Sequence, residues 1–392
     1  MAAHATRNGG PSSRVVTIPK SLPSAAQQRD RSSSQRVRSP AAVPPALRAA
    51  DPLPEFIAPQ LALLVSAPPA DEHYVHEIKF DGYRVLARLC HAGAAPQVQL
   101  FTRSGNDWTG KFAGIAEAVA SLAVESAFVD GEVVALDDQG RSSFQRLQGS
   151  LSGRADAPLC YCVFDLLYLN GYDLRSQPLL DRKELLAALL DHNPHPLLRY
   201  SEHFTGSGER MFQRACSEHL EGIICKDGRR PYVSSRSTGW LKVKCKNRQE
   251  FVIIGYTSPK GSRAHLGALL LAAHEADGRL RYAGRVGTGM GAQTLRELQQ
   301  RLAALHTAEP PVSGVRGGRD VTWVEPRLVA EIEFSEFTAE KILRHPAFVG
   351  LRADKPAAQV VLETPAPPPS PAPRQLAAGR AALPRHRPPA RR

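Results

Sequence analysis

The chain has 392 residues, 42% of them apolar, and a formal net charge of +12, which allows two domains of ordinary size and at least one substantial core. No apolar run approaches the roughly 20 residues that span a bilayer, and residues 1–20 lack the apolar stretch of a secretory signal, so a membrane or exported protein is not expected. The charge is uneven, with +7 on residues 1–50, +6 on 364–392 and −1 on 51–363, so any nucleic-acid surface on the folded part must be a local patch.

Residues 1–50 are rich in Ser, Pro, Ala, Gln and Arg without an apolar period and read as a disordered basic tail, a composition shared with organelle transit peptides. Strand-like runs follow at His73–Phe80, Phe128–Leu136, Leu159–Leu167, Ile223–Lys226, Trp240–Cys245 and Phe251–Tyr256, and helical periodicity is clearest at Asp181–Asp191 and Ala292–Leu305. Helices do not alternate regularly with strands, so an α+β class is expected rather than a doubly wound parallel sheet. The charged stretch Lys242–Arg248 marks a boundary. It divides a first domain, 51–248, from a second, 249–363, whose pattern fits a small β-barrel with one or two helices. Residues 364–392, rich in Pro and Arg, read as a second disordered tail. The six cysteines form no CxxC pair; Cys160 and Cys162 share one face of an apolar strand and read as small buried hydrophobes rather than zinc ligands. Without a secretion signal, reduced thiols in a cytosolic compartment are expected.

Side chains alternate across a strand, so Glu77, Lys79 and Asp81 share a face in the run Tyr74–Arg84. A lysine between carboxylates, followed by Gly82 and Arg84, is a plausible nucleophile setting. It is also what a surface strand with alternating charge looks like. Two glycine-rich stretches are decoys. Gly105–Lys111 matches a phosphate loop through its lysine, but Phe112 stands where Ser or Thr must bind magnesium. Gly284–Gly291 lacks the strand–turn–helix context of a dinucleotide site.

The pattern Lys79-x-Asp81-Gly82-x-Arg84 resembles the first motif of the covalent nucleotidyltransferases: DNA ligases, RNA ligases and mRNA capping enzymes. Blocks similar to the remaining motifs follow in order at Phe101–Thr109, Asp130-Gly-Glu132, Phe164-Asp-Leu-Leu, Glu221–Lys226, Trp240–Lys244 and Arg344–Pro356. Each is short; the ordered set is specific and covers about residues 52–363. Phe251–Tyr256, Val329–Phe334 and the last block are most similar to the bacterial ligase D type. The resemblance implies an adenylation domain of antiparallel sheets with flanking helices, followed by an OB-fold β-barrel in which Gly284–Gly291 forms a turn.

It also implies roles. Lys79 would attack the α-phosphate of a nucleotide. Its pKa, near 10.4 when free, would have to fall at a cost of about 4–5 kcal/mol, with Lys242, Lys244 and a metal supplying the positive surroundings. Lys242 and Lys244 would also offset charge on the α-phosphate, and Asp81 would play a local structural or proton-orienting part. Arg84 and Arg103 would contact sugar or phosphate and Lys226 the α-phosphate. Phe164 would stack on the base, if it is not simply a core aromatic. Arg352 and Lys355 would close over ATP from the barrel. Glu132 and Glu221 would hold Mg2+ (or Mn2+) with phosphates and water, Glu132 also lying near the ribose. Glu77 can accept a hydrogen bond from the adenine amino group, where capping enzymes typically carry Thr, which favours ATP over GTP. There is no room for the extra modules of NAD-dependent ligases, so ATP is also preferred to NAD.

The implied activity is ATP-dependent sealing of DNA nicks through a lysyl-AMP and a 5′-adenylated DNA, in repair or end joining. The implied partners are nicked double-stranded DNA and, from related fused enzymes, a Ku-type end-binding protein. A monomer in the bacterial cytoplasm, at the nucleoid, is expected, without the polymerase and phosphoesterase modules of the fused enzymes. Two rivals stay open. An RNA ligase or capping enzyme would be separated by labelling with ATP against GTP. A non-catalytic OB protein with basic arms would leave Lys79, Glu132, Glu221, Lys242 and Lys244 unexplained.

Overall fold

The computed structural model describes residues 52–91, 93, 95–153, 157–259, 265–312, 315 and 320–369. The expected tail at 1–50 and residues 370–392 lie outside the described residues.

The first half contributes β1 (Leu61–Leu64), β2 (Tyr74–Ile78), β3 (Tyr83–Cys90), β4 (Gln97–Thr102), β5 (Ser126–Ala135), β6 (Leu159–Leu169), β7 (Tyr172–Asp173), β8 (Leu198–Tyr200), β9 (Gly222–Asp227) and β10 (Arg236–Lys244). They make two sheets. One runs β4-β3-β5-β6-β7 with β8 beside β6; the other runs β1-β10-β9-β2. Pairing is antiparallel except at β6–β8 and β1–β10. β6 is an almost unbroken apolar run because both its faces are covered. Helices α1 (Ala113–Ala120), α2 (Phe144–Leu151) and α3 (Leu179–His192) send Ile115, Val119, Phe144, Leu147 and Leu186 into the core with Val85, Val129, Tyr161 and Val163. A fourth helix, α4 (Gly208–Ser217), lies against β9. Ser143 caps α2 and Ser207 caps α4 by accepting from the backbone N–H three residues on.

The second half is a barrel. Its strands are β11 (Asn247–Thr257), β12 (Leu269–His274), β13 (Leu280–Val286), β14 (His306–Thr307), β15 (Val321–Val324), β16 (Val329–Phe334), β17 (Glu336–Phe337), β18 (Leu343–Arg344) and β19 (Ala347–Leu351), with α5 (Ala292–Ala303) after β13. β11 is long enough to pair with β16 by its first half and β15 by its second, while β12 takes its other edge. β19 pairs with β16, and Phe348 donates its N–H to the Thr288 carbonyl (3.0 Å), which brings β19 back toward the end of β13. Leu295, Leu298 and Leu302 of α5 plug this barrel's core. The class is α+β, as expected.

Several expectations need correcting. β2 ends at Ile78 rather than Phe80, because Lys79–Asp81 turn toward β3. Gly284 lies inside β13 with φ of 123°, at a shift in the β12–β13 register, and not in a turn. Cys216 and Cys245 are joined in a disulfide, so the expectation of reduced thiols fails for these two. Packing of α4 on β9 and β10 through Ala215, Ile223 and Val243 lays the end of the helix against the end of β10. Cys90, Cys160, Cys162 and Cys225 are free, and Cys160 and Cys162 are buried as expected. The second tail does not begin at 364: Ala366 donates its N–H to the Leu64 carbonyl (3.0 Å) and accepts from the Ser66 N–H (2.9 Å). No helix among the described residues is long and apolar enough to cross a membrane.

Candidate active site

Strand pleating and a chain crossing build this site. β2 carries Glu77 inward, and Lys79 follows one residue past its end, tied to β9 by its N–H, which donates to the Gly222 carbonyl (3.0 Å). Gly82 is required next, because a Cβ there would lie 2.2 Å from the Val133 carbonyl oxygen. On β5 Asp130 and Glu132 share a face, and Gly131 between them is forced by the Tyr161 ring, 2.5 Å from where a Cβ would sit. Lys242 and Lys244 alternate along β10. Arg352 and Lys355 arrive from the barrel after β19. All thirteen residues singled out from the sequence (Glu77, Lys79, Asp81, Arg84, Arg103, Glu132, Phe164, Glu221, Lys226, Lys242, Lys244, Arg352 and Lys355) line a single cavity.

At the centre, the Lys79 ammonium lies 2.6 Å from a Glu221 carboxylate oxygen. Burial works against the ammonium, but the Glu221 charge and hydrogen bond outweigh it, with Glu132 and Asp81 adding, so the amine is held above its ordinary pKa. The expected depression by Lys242 and Lys244 is not what these two lysines supply here. Lys242 instead gives its ammonium to Glu363 (2.8 and 2.6 Å), and Lys244 donates to the Arg248 carbonyl. Burial raises the Glu221 carboxyl, yet Lys79, Arg248 and Lys244 bring it below its usual range. Burial pushes Glu132 up to about 8, against the pull of Lys79, Arg352 and Arg84.

Asp81 is an organiser. Its N–H donates to the Ser142 hydroxyl (2.9 Å). Its carboxylate accepts from the Phe144 N–H at the head of α2 (3.2 Å) and from Arg248 (2.8 Å). Arg84 is committed as well, donating to both oxygens of buried Asp130 (2.9 and 2.6 Å) and to the Gln60 carbonyl. Arg103 faces the cavity, where burial depresses its pKa.

At the other end, Phe164 and Trp240 meet edge to face at 5.8 Å, and the Lys226 ammonium sits 4.3 and 4.2 Å from their ring centroids. Lys226 donates to Glu77 (2.9 Å), as does buried Lys183 (2.8 Å), and Ser201 completes the shell (3.0 Å). Burial lowers the Lys226 pKa to about 8. The two cations outweigh burial at Glu77 and hold its carboxyl below its usual range. Glu77 is engaged by three protein donors rather than open toward a base. Lys226, paired in register with Val75, gives its ammonium to Glu77.

The barrel closes the cavity. Glu331 bridges Arg248 and Arg352 (3.0 Å each), Arg352 also grips Asp354, and Lys355 reaches Glu250 (3.3 Å). Gln148 of α2 donates to the Leu351 carbonyl (2.6 Å), and the Ser104 hydroxyl to that of Asp354 (3.1 Å). Sequence reasoning missed Lys183, Arg236, Glu331 and Glu363, which lie outside the recognisable blocks or were passed over within a strand. Trp240 and Asp130 were inside the motif blocks but were given no role.

No cluster of three or more His, Cys, Asp or Glu donors that could hold a metal exists among the described residues. Glu132 and Glu221, both facing the cavity, still fit a hard cation that takes its remaining oxygens from phosphate and water.

Known proteins similar to this chain bear on its family. Residues 60–244 match the model of the ATP dependent DNA ligase domain, and residues 262–355 that of the ATP dependent DNA ligase C terminal region. A solved mycobacterial DNA ligase D complexed with ATP and MES is 35% identical, with a TM-score of 0.55; the match covers 77% of this chain and 98% of that one. The chain belongs to the ATP-dependent DNA ligase family. The multifunctional non-homologous end joining protein LigD of Pseudomonas aeruginosa is 42% identical over 334 residues, 84% of this chain and 39% of the relative. The SPbeta prophage-derived DNA ligase-like protein LigB of Bacillus subtilis is 34% identical over 206 residues, 52% of this chain and 72% of the relative. This ligase-family chain thus spans about two fifths of the LigD proteins it matches.

Proposed function

We propose that the chain is an ATP-dependent DNA ligase that seals nicks through AMP carried on Lys79. The observation that carries the reading is the position of Lys79 in one cavity, with paired aromatics at one end and a cluster of cations at the other. Neutral Lys79 Nζ attacks the α-phosphorus of ATP; a P–N bond forms, and the P–O bond to pyrophosphate breaks. AMP then passes to the 5′-phosphate at a nick, and the 3′-hydroxyl attacks that phosphate and expels AMP. Phe164 and Trp240 offer ring surface to the base. Lys242, Lys244 and Lys355 stabilise the negative phosphates, and Arg352 and Lys355 carry the barrel's side of the closed site.

Lys79 is a protonated partner of Glu221, so its ammonium must first pass a proton to that carboxylate or to water before Nζ can attack. Glu132 and Glu221 would hold Mg2+ or Mn2+, which supplies Lewis-acid charge at the phosphates. The buried lysine shell around Glu77 supports a role for that carboxylate in building the end of the cavity proposed for the base. We place the enzyme in end joining or repair in the cytoplasm, acting on DNA at the nucleoid as a monomer, with a Ku-type protein as a candidate partner.

The test is incubation of the full chain with magnesium and ATP, GTP or NAD, followed by intact-mass measurement and a labelled nicked duplex. One AMP on Lys79 from ATP alone, and a sealed strand, is the expected result. A GMP adduct, or no adduct with DNA still bound, would overturn it.

A further inference from the structure

Beyond the last recognisable block, the chain runs back from the barrel to the first half. His274 donates its N–H to the Val360 carbonyl and accepts from the Leu362 N–H, both at 2.9 Å, which fixes the start of the segment to β12. Ala366 fixes its far end to the β1 edge, through Leu64 and Ser66. Between these anchors, Glu363 turns its carboxylate into the cavity. Both of its oxygens accept from Lys242 (2.8 and 2.6 Å), one lies 3.0 Å from Arg236, and its carbonyl accepts from Gln249 (3.1 Å).

Arg236, Lys242, Lys244, Arg103 and Lys355 all face this cavity. Without carboxylates such a cluster would be strongly self-repelling in a low-dielectric site; Glu250 answers Lys355 (3.3 Å), and Glu363 answers Lys242 and Arg236. A carboxylate that takes an ammonium and a guanidinium together uses the same charge-assisted hydrogen bonds that a phosphate would use. If the chain uses ATP as proposed above, these cations face the nucleotide's phosphates. We propose that Glu363 is a built-in anionic stand-in for the outer phosphates of ATP and for pyrophosphate. It neutralises their subsite when no nucleotide is bound and must withdraw when they enter. Because the same short segment is anchored to β12 and to β1, its withdrawal also loosens a tie between the barrel and the first half.

The test compares the full chain with Glu363→Gln and Ala366→Pro, the latter removing the N–H given to Leu64 and fixing the backbone φ there. Binding of inorganic pyrophosphate is measured by calorimetry, and KM for ATP from the rate of self-adenylation. Removing one competing charge predicts about ten-fold tighter pyrophosphate and a similarly lower KM in Glu363→Gln. Ala366→Pro shifts both readings the same way by less. Unchanged or weaker pyrophosphate binding in Glu363→Gln overturns the proposal and makes Glu363 a counter-ion that merely holds Lys242 in place. Wild-type behaviour of Ala366→Pro overturns the part given to the segment. Should the unaltered chain form no lysyl-AMP, the ligase reading falls, while the pyrophosphate comparison still decides the role of Glu363.

Discussion

The Lys79 ammonium and the Glu221 carboxylate form an ion pair at 2.6 Å in the middle of the cavity, so the candidate nucleophile rests in its unreactive form. Lys79→Ala is expected to abolish self-adenylation while nicked DNA is still bound. Lys79→Arg should be equally inactive, since guanidinium stays protonated. Intact-mass measurement after incubation with ATP checks both; an AMP adduct on either variant would remove Lys79 from the covalent step.

Glu77 sits between the buried ammonium groups of Lys183 and Lys226. Removing one partner of a buried charge cluster costs about 3–5 kcal/mol. Glu77→Ala should therefore lower Tm sharply and keep its preference for ATP over GTP in whatever folds. A variant that melts like the wild type but accepts GTP would return Glu77 to the task of reading the base.

Lys355 enters the cavity from the barrel and meets Glu250 at 3.3 Å. Its alanine variant should fail at adenylation yet seal a pre-adenylated nick if, as the ligase reading proposes, the barrel closes over ATP for the first step and moves away for the later ones. Equal failure on both substrates would mean that Lys355 is not specific to the first step.

The disulfide closes a loop between residues 29 apart, for which the chain-entropy model gives about 3–4 kcal/mol. Titration of the unfolded, unreduced chain should count four thiols rather than six, and reduction should lower Tm. Six thiols in protein purified without reductant would restore the expectation of reduced cysteines.

Much of the site was legible because its chemistry sits in local patterns. Lys79, Asp81 and Arg84 lie within six residues, and Lys242 and Lys244 share a strand face. What each charge faces was not legible. Arg84 reads as a phosphate ligand until β5 is laid beside β3 and Asp130 meets it. The sequence pattern likewise gives no sign that Glu77, Lys183 and Lys226 converge, since they are brought together across 149 positions. The strong strands and the two most periodic helices were visible. The 8-residue helices α1 and α2 and the 10-residue α4 offer too few turns for a period to stand out. The first residues of the second tail were misjudged for a different reason: backbone pairing by Ala366 leaves no mark in a proline-rich composition.

The pairing of Ala366 also sets where the basic arms can be cut. A chain trimmed to residues 52–369, which keeps Ala366 on the β1 edge, should adenylate itself at full rate. Its DNA affinity should fall at low salt and its log–log salt slope should flatten, by about 0.9 for each phosphate the arms no longer neutralise. The difference should shrink at higher ionic strength. Identical slopes for the full and trimmed chains would show that the arms add nothing to binding.

Only Cys245 and Lys246 separate the end of β10 from the start of β11, and Cys245 is fastened to α4. Lys246 is left as the one residue of that connection without a covalent anchor, a hinge pin one residue long. A door hung on such a pin can turn but cannot slide. Lys242 and Lys244 belong to its frame, while Glu331, Arg352 and Lys355 belong to its leaf. On the proposed ligase reading, opening would carry Arg352 and Lys355 out of the cavity in one sweep and leave Lys242 and Lys244 where they stood.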